Sequence, residues 1–588
     1  MESELHPFTH ISVKNAMVEF LQLIRTSQIS KNESEKFLSF VKSILPFPDQ
    51  MPKNMNTLLK GLNTADYFNR RTICILCEKE LQKNQNLCSQ YIHALLSNIV
   101  SRHSSDIEEY KKFILNPDSQ TPYDIPLGKA YQRLLRQYSN ENLLTILLHV
   151  DGISVVKSTN LKLWICAASL IELPPSLRTR RSNMFLVSIE AQLTNRNVYG
   201  HLGTSILDEV VDVSLPRALI IDYAHVSLLR HFRDVIKTVA SSLAPAVREK
   251  IDVSLRAQRF PYFFHRKMRG VADFSFIKAV ELKNLLLYGF IPHFMNHLTI
   301  DQLCFISLFT IGVRLFHADN VFTPIISTTA NELLCKYYAD HHIYFLHHAN
   351  FVLHLHQHFQ DVYEYHGPLS SINTFSQEDF IGYIKKNKNG TTSFENLFAY
   401  YYNIDVLLKK FKETNLIRVV DGPLDVCLVR QENPLFHELS NYHQKSCDRN
   451  NYCQCIKTFR RCLIFKKMYH SLQYVKRKNT TSYFVKYLFR PGNFEFGSIK
   501  VFFQHQQQTY ALIQHFQVIN AFSDYLKDSR YYGLLKQAID NFYFVLKKTN
   551  ITRIVLVEKI QTHMIVFQNI PEKAFILATP ISAITEHD

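Results

Sequence analysis

The chain lacks the long apolar runs that cross membranes, and it has fewer acidic than basic residues. No segment of its 588 residues approaches about 18 uninterrupted apolar positions, which argues against a membrane span. The first residues have neither a basic start nor an apolar run, so we expect a nuclear or cytoplasmic protein that is not secreted. Lys and Arg number 67 against 51 Asp and Glu, a formal net charge of +16. This excess favours a polyanionic partner such as nucleic acid.

The chain also lacks a regular pattern of cysteines, since its 11 cysteines are irregularly spaced. In a chain without an export signal this predicts reduced thiols and not a disulfide framework. Cys74 and Cys77 form a Cys-x-x-Cys pair, which Cys88 and His93 follow. A structural zinc ion needs four ligands of this kind. The alternatives are a zinc site of three thiolates and one imidazole, and a degenerate knuckle whose cysteines belong to a small core.

Two apolar stretches each lead to an aspartate. Residues 143–150 run into Asp151 and Gly152, and an apolar continuation after a tight turn predicts a buried hairpin. The second stretch, 219–229, contains Asp222. An aspartate at the end of a core strand can bind the metal ions of phosphoryl transfer. An aspartate before glycine is equally typical of an ordinary turn.

These stretches resemble landmarks of the CACTA-like (En/Spm-type) DNA transposases of animal transposable elements. Residues 147–158 resemble the family's Asp-Gly-x-x-x-x-Lys-Ser-Ser strand pair, and residues 219–229 resemble its Leu-Asp-Tyr-Met-His-Leu-Val segment. Residues 278–288 resemble its Lys-Ala-x-Glu-x-Arg-x-Phe-Leu-Leu-Tyr helix, and weaker matches in the family's order cover nearly the whole chain. The resemblance implies a ribonuclease-H-like core. Its vestigial catalytic carboxylates would be Asp151, Asp222 and Glu281.

After Glu190 the chain departs from the family pattern. The family continues with a second catalytic aspartate before a Pro-Ala pair and then a zinc element, whereas this chain passes to residues 201–207, which resemble the segment after that element. Phosphoryl transfer by two metal ions needs several carboxylates on a complete sheet. The gap therefore implies a transposon-derived protein that binds DNA but cannot cleave it or transfer strands. Magnesium is expected only if the core is functional, and a zinc ion is expected first at the N-terminal cysteines.

Two alternatives to this interpretation stay open. One is a domesticated, non-catalytic scaffold or regulatory protein that binds another protein. The other is an active transposase whose gene model lacks an exon after Glu190.

The apolar patterns predict an α+β fold that is mostly helical and has a small C-terminal β-rich domain, and the resemblance implies that its α/β core is a truncated ribonuclease-H-like one. Alternating apolar residues from Tyr483 onward are the basis for the β-rich domain. The expected regions are an N-terminal helical region with the degenerate knuckle, the truncated core, a helical domain, a basic cysteine-containing linker and the β-rich domain, at residues 1–135, 136–235, 236–440, 441–480 and 481–588.

Basic residues are concentrated beside the truncated core and in the predicted linker. In the linker they are interleaved with aromatic residues, a pattern that suits contact with a nucleic-acid backbone, although a solvated basic linker would look the same. Four cysteines lie among them, at a spacing that is not a standard zinc pattern. The candidate nucleic-acid-binding residues are Arg178, Arg180, Arg181, Lys457, Arg460, Arg461, Lys466, Lys467, Lys476, Arg477 and Lys478.

Overall fold

The chain combines helices with antiparallel sheets, and helix outweighs strand. These features come from a computed structural model. It describes residues 3–68, 87–117, 123–138, 142–156, 161–192, 213, 217–264, 266–317, 324–346, 350–387, 394–412, 420–447, 455–475, 480–567 and 575–578.

The α-helices are, in chain order, α1 (Val13–Thr26), α2 (Lys31–Ile44), α3 (Met55–Gly61), α4 (Leu87–Arg102), α5 (Ser104–Leu115), α6 (Lys129–Gln137), α7 (Pro175–Arg178), α8 (Arg233–Ser242), α9 (Pro245–Ala257), α10 (Ala279–Asn284), α11 (Phe290–Phe294), α12 (Ile300–Leu315), α13 (Pro324–Tyr344), α14 (Phe351–Leu355), α15 (Phe359–His366), α16 (Leu369–Ile372), α17 (Phe375–Lys386), α18 (Phe394–Lys412), α19 (Pro434–Ser446) and α20 (Tyr532–Ile539). The π-helical stretches Ala224–Phe232 and Leu285–Gly289 lead into α8 and α11.

The strands are β1 (Ile146–Val156), β2 (Leu161–Leu170), β3 (Met184–Gln192), β4 (Gly422–Cys427), β5 (Lys457–Ile464), β6 (Lys467–His470), β7 (Phe484–Arg490), β8 (Asn493–His505), β9 (Gln508–Ala521), β10 (Tyr543–Leu556), β11 (Ile560–His563), β12 (Ile565–Phe567) and β13 (Phe575–Ala578). The first three form one antiparallel sheet in the order β1-β2-β3, and the others form a second sheet.

The N-terminal helices follow from apolar spacing and serine caps. Ser12 and Ser30 each accept a hydrogen bond from the backbone N–H three residues on, which satisfies a donor at the start of α1 and of α2. The buried faces of these helices pack against Ile404 and Leu407 of α18. The region expected to be helical at the N-terminus therefore begins with two capped helices.

The hairpin predicted across Asp151 and Gly152 does not form, and residues 146–156 instead make one strand that pairs with β2. Strand β1 runs straight through both residues, with Asp151 opposite Ile165 and Gly152 opposite Trp164. The connection between β1 and β2 falls at 157–160, outside the described residues. The prediction of a tight turn at Asp151-Gly152 is therefore wrong. Gly152 lies within a strand, and the indole of Trp164 packs over it.

The first sheet is covered by α17 and α18, which share a core with β2 and β3. Within the described residues it consists of three antiparallel strands, and residues 217–222 approach it without forming a strand. A complete ribonuclease-H-like sheet is not established by this arrangement.

The segment expected to be a basic linker, 441–480, holds regular elements in its described part. Residues 457–464 form β5, which pairs with β4, β6 and β8. Lys457 and Arg460 of this strand are exposed, whereas Phe459 and Cys462 are buried. The stretch is therefore a strand with one buried face, although its many basic residues made it look like a linker. The linker prediction is wrong for this stretch.

The boundary expected at residue 481 does not separate two cores. The largest core joins the helices between 224 and 375 to C-terminal residues such as Phe522, Leu535 and Tyr543. The C-terminal region is therefore not an independent unit. Among the described residues, no helix is both long enough and apolar enough to cross a bilayer.

Candidate functional site

Asp151 and His149 lie on the inner face of β1. Alternate residues of a strand point to one side, and the residues of the opposite face, Leu148 and Val150, are 45% and 58% exposed. The side chain of His149, by contrast, is 14% exposed. The strand therefore presents an imidazole and a carboxylate toward the interior.

Asp222 lies at the start of the π-helical stretch Ala224–Phe232. Its carboxylate accepts a hydrogen bond from the N–H of Ala224 at 2.9 Å and pairs with the imidazole of His225. The hydroxyl of Thr374, the residue just before α17, donates to the same carboxylate at 3.0 Å. These contacts fasten the two helix starts to each other and occupy both oxygens of Asp222.

Glu378 joins this group from the first turn of α17. Its Oε1 lies 3.8 Å from Nε2 of His149. Both atoms are buried and make no hydrogen bond within the described part of the chain. The helix N-terminus favours a negative charge at this position. We call Asp151, Asp222, Glu378, His149 and His225 the acidic cluster.

Within the acidic cluster, His225 pairs with the carboxylate of Asp222. The hydrogen bond to Asp222 raises the pKa of His225. Burial acts to raise the pKa of Asp222, but the contacts from His225 outweigh it and lower that pKa. Burial and then the charge of Asp151 raise the pKa of Glu378, and burial lowers the pKa of His149. The cluster therefore holds a charged Asp222–His225 pair beside groups that resist ionisation.

The carboxylates are the ligand type that magnesium prefers, but they do not converge as a preformed metal site. Among the described residues, the one trio of His, Cys, Asp or Glu whose ligand atoms all lie within 4.8 Å of one another is elsewhere, at His443, Cys447 and Cys455. The oxygens of Asp222 are engaged by His225 and Thr374. The acidic cluster thus does not fit a two-metal centre.

Glu281, predicted as the third carboxylate, is bound elsewhere. It is 3% exposed on α10, with Arg269 Nε at 3.0 Å and Arg266 at 3.7 Å. The structure therefore places Glu281 beside two guanidinium groups, whereas Glu378 is the glutamate that interacts with Asp151 and Asp222. The neighbouring residues do not distinguish Glu281 from Glu378, because each lies in the first turn of a helix.

Arg178, predicted to contact nucleic acid, is a buried structural residue. Its two terminal nitrogens donate to the carboxylate of Asp124 at 3.0 and 2.7 Å, and it also donates to the carbonyls of Ile171 and Leu173. Burial acts to raise the pKa of Asp124, but the charge of Arg178 outweighs it and lowers that pKa. This arginine is 3% exposed and cannot reach DNA.

The other basic candidates divide by their contacts. Arg181 pairs with Asp379, and Arg461 pairs with Asp425 and lies over the ring of Tyr474. Lys467 is half-buried. The exposed members of the set are Arg180, Lys457, Arg460 and Lys466, while Lys476, Arg477 and Lys478 lie outside the described residues.

The N-terminal zinc candidate cannot be assembled from the described residues. Cys74 and Cys77 lie outside them. Cys88 and His93 both lie in α4, but only the side chain of His93 is described, and it is exposed. A possible metal site lies instead at His443, Cys447 and Cys455. The sequence does hold a signal for this trio, because His443 and Cys447 stand four residues apart, about one helical turn, and so can face the same side.

A comparison of the chain with models of protein families and with curated proteins finds no match.

Proposed function

We propose that this chain is a transposon-derived, transposase-like protein that binds DNA but neither cleaves it nor joins strands. The observation that carries this proposal is the meeting of Asp151 and Asp222 in one acidic cluster. Each of them stands in a separate stretch that resembles a landmark of CACTA-like transposases. Electrostatic interactions link both aspartates to His149, His225 and Glu378.

The contacts of Asp222 are the reason to expect no catalysis. A carboxylate that helps hold metal ions for phosphoryl transfer needs oxygen lone pairs free for the metal. Here His225 supplies the positive charge, and Ala224 and Thr374 supply hydrogen bonds. The imidazole of His225 thus occupies the position beside Asp222 that a metal ion would need. Among the described residues, the carboxylates of the acidic cluster do not converge on a metal position.

DNA binding is supported by the net charge of +16 and by the exposed basic residues on the second sheet. Lys457 and Arg460 project from β5, and Lys466 lies in the turn between β5 and β6. Backbone phosphate contacts of this kind do not depend on base sequence.

The first experiment measures DNA cleavage by the purified chain with Mg²⁺ or Mn²⁺, using labelled duplex and supercoiled plasmid. We expect no cleavage, and we expect Asp151→Asn to change the free energy of unfolding by no more than about 1 kcal/mol. His225→Ala serves as a matched variant, because it frees an oxygen of Asp222. Metal-dependent cleavage by the native chain that disappears in Asp151→Asn would show an active enzyme, as the missing-exon alternative requires.

The second experiment measures DNA affinity against salt concentration. Neutralising Lys476, Arg477 and Lys478 to Gln should weaken binding equally for unrelated sequences. The slope of log affinity against log salt should fall by about one for each phosphate interaction that the change removes. The control is the triple change of Lys36, Lys53 and Lys60 to Gln, three exposed lysines of the N-terminal helical region. An equal weakening in the control would assign the effect to overall charge, and no DNA binding by the native chain would refute the proposal.

A second candidate function, binding to another protein, is favoured by the free edge of β4. This strand pairs with β5 on one side and has no partner strand on the other within the described residues. Val426, within it, is 67% exposed, and Leu428, just beyond it, is 92% exposed. An exposed apolar edge can accept a strand from a partner. A native chain that binds no DNA at low salt would favour this candidate over the first.

A further inference from the structure

Three potential metal ligands come together where α19 meets β5. His443 lies in the last turn of α19, Cys447 directly follows that helix, and Cys455 lies two residues before β5. Their ligand atoms all lie within 4.8 Å of one another. Residues 448–454, which connect the two cysteines, are outside the described residues.

The separation of the two sulfur atoms suits a shared metal ion. Cys447 Sγ lies 3.8 Å from Cys455 Sγ. Two thiolates at the zinc–sulfur distance of about 2.3 Å, on the edge of a tetrahedron, are separated by about 3.8 Å. A disulfide would bring the same atoms to about 2.0 Å. The observed spacing therefore suits two zinc ligands and is too long for a disulfide.

The surroundings are those of a structural site. His443 is 4% exposed, and both cysteines are partly buried. The neighbouring His505, from β8, is also 4% exposed, and its Nε2 makes no hydrogen bond to any described residue. The two imidazole rings lie 6.3 Å apart. A buried imidazole beside two thiolates and a histidine is a ligand set that zinc accepts.

We propose that His443, Cys447 and Cys455 bind one zinc ion, which fastens the C-terminal end of α19 to the start of β5. The packing gives this clamp a role. Leu435 and Leu439 of α19 pack on Val501 and Phe503 of β8. A metal at the far end of α19 would hold the helix on the sheet and close the short connection between Cys447 and Cys455.

The test uses the full-length chain, purified without chelator after growth with zinc. Elemental analysis should find zinc bound at this site, and Cys447→Ser, Cys455→Ser and His443→Gln should each lower the zinc content by one ion per chain. Loss of a hydrogen-bonding neighbour of a ligand alone costs about 10 to 100-fold in metal affinity. Loss of a ligand should therefore cost at least about tenfold.

Cobalt substitution gives a second readout, because the spectrum of the native chain reports its metal ligands without any variant. Cobalt in the native site should show thiolate-to-metal charge-transfer absorption and the visible bands of tetrahedral coordination. Cys455→Ser should lower the charge-transfer intensity by about half, since one of two thiolates is removed.

Matched controls separate this site from others. His437→Gln changes an exposed histidine of the same helix, and Cys335→Ser changes a half-buried cysteine of α13; neither should alter zinc content. The double change Cys74→Ser and Cys77→Ser removes the N-terminal candidate and should leave this zinc ion bound. A native chain that takes up no zinc under reducing conditions, or whose zinc is lost only in the N-terminal double variant, would overturn the proposal.

Discussion

At the scale of single residues, the acidic cluster is decided by what Asp222 contacts. Its carboxylate is held by His225, by Thr374 and by the N–H of Ala224. A histidine three residues from an aspartate is common and carries no signal of its own. The short helical spacing nevertheless puts the two side chains in contact, which converts a potential metal ligand into one half of an ion pair.

The Asp222–His225 pair predicts a defined dependence on pH. The pKa of His225 is raised, so its contribution to stability is present below the unfolded value of 6.5 and is lost as pH rises through the folded pKa. The pKa of Asp222 is lowered, so its contribution is present above the unfolded value of 3.8 and is lost as pH falls through the folded pKa. The pair therefore stabilises most between the two unfolded values, from about pH 3.8 to 6.5, and progressively less on either side.

The measurement is an NMR titration of the His225 imidazole in labelled protein. Asp222→Asn should lower the pKa of His225 toward its usual value, because the largest cause of the shift is the bond to that carboxylate. Asp151→Asn should lower it less, since Asp151 acts only through its charge. An unchanged midpoint in the Asp222→Asn chain would mean that the pair is not formed in solution.

Arg178 and Arg180 provide a matched test of burial against exposure. Arg178→Ala leaves the carboxylate of Asp124 buried without its partner, which should cost about 3–5 kcal/mol of unfolding free energy. Arg180→Ala, on the exposed neighbour, should change stability by no more than about 0.5 kcal/mol. Urea denaturation measures both. Equal and small effects would contradict the buried role of Arg178.

At the scale of elements, the second sheet contains strands that their charges conceal. In β5 the pattern of burial places Lys457 and Arg460 outside while Phe459 and Cys462 are buried. The basic residues between 457 and 466 therefore belong to a sheet surface and not to a flexible connection. A sheet holds such charges at fixed positions, which suits a rigid surface for phosphate contact better than a linker does.

Two glycines of the C-terminal region predict opposite responses to alanine. Gly497 lies in β8 between Val485 of β7 and His515 of β9. An added Cβ there would overlap the side chain of Ile513 and the backbone carbonyl of Gln514. Because the backbone cannot move away cheaply, Gly497→Ala should destabilise the chain by about 1–3 kcal/mol.

Gly533 of α20 is the control for this change. Nothing lies within 4 Å of a Cβ added there, so Gly533→Ala should stabilise the chain by about 0.4–1 kcal/mol through the entropy of the unfolded state. Thermal unfolding followed by circular dichroism compares the two. A stable Gly497→Ala chain would show that β8 and β9 do not pair in this register.

At the scale of the whole molecule, Arg314 joins the helical middle to the C-terminal region. Its guanidinium lies 4.3 Å from the ring centre of Phe542 and donates to the carbonyl of Leu287 at 2.9 Å. The hydroxyl of Tyr543 donates to the carbonyl of Tyr288 at 3.1 Å. These contacts, with the shared apolar core, make the two regions one packing unit.

This shared core predicts that the two regions unfold together. Leu535 of α20 is 0% exposed and packs in the core of the helical middle. Leu535→Ala should cost about 2–5 kcal/mol and shift the unfolding of both regions equally. Leu534→Ala, at a position 38% exposed, is the control and should cost less than about 1 kcal/mol. Calorimetry that resolves a separate C-terminal transition would restore the independent domain.

The features that the sequence by itself determined are those whose causes lie within a few residues. Serine caps and apolar spacing specify α1 and α2, and an apolar run specifies the part of β1 that leads up to Asp151. Local patterns suffice here because a helix or strand depends chiefly on neighbours within one or two turns.

Only the tertiary structure decided which side chains meet. Glu378 and Glu281 look alike in sequence, and packing brings the first to His149 and the second to Arg269. Packing likewise buries Arg178 beside Asp124 and brings His443 to Cys455 across a connection that no spacing rule describes. The contacts of His149 with Glu378 and of Arg178 with Asp124 join segments that are distant along the chain, so these partners are chosen by the fit of whole elements and not by the residues beside them.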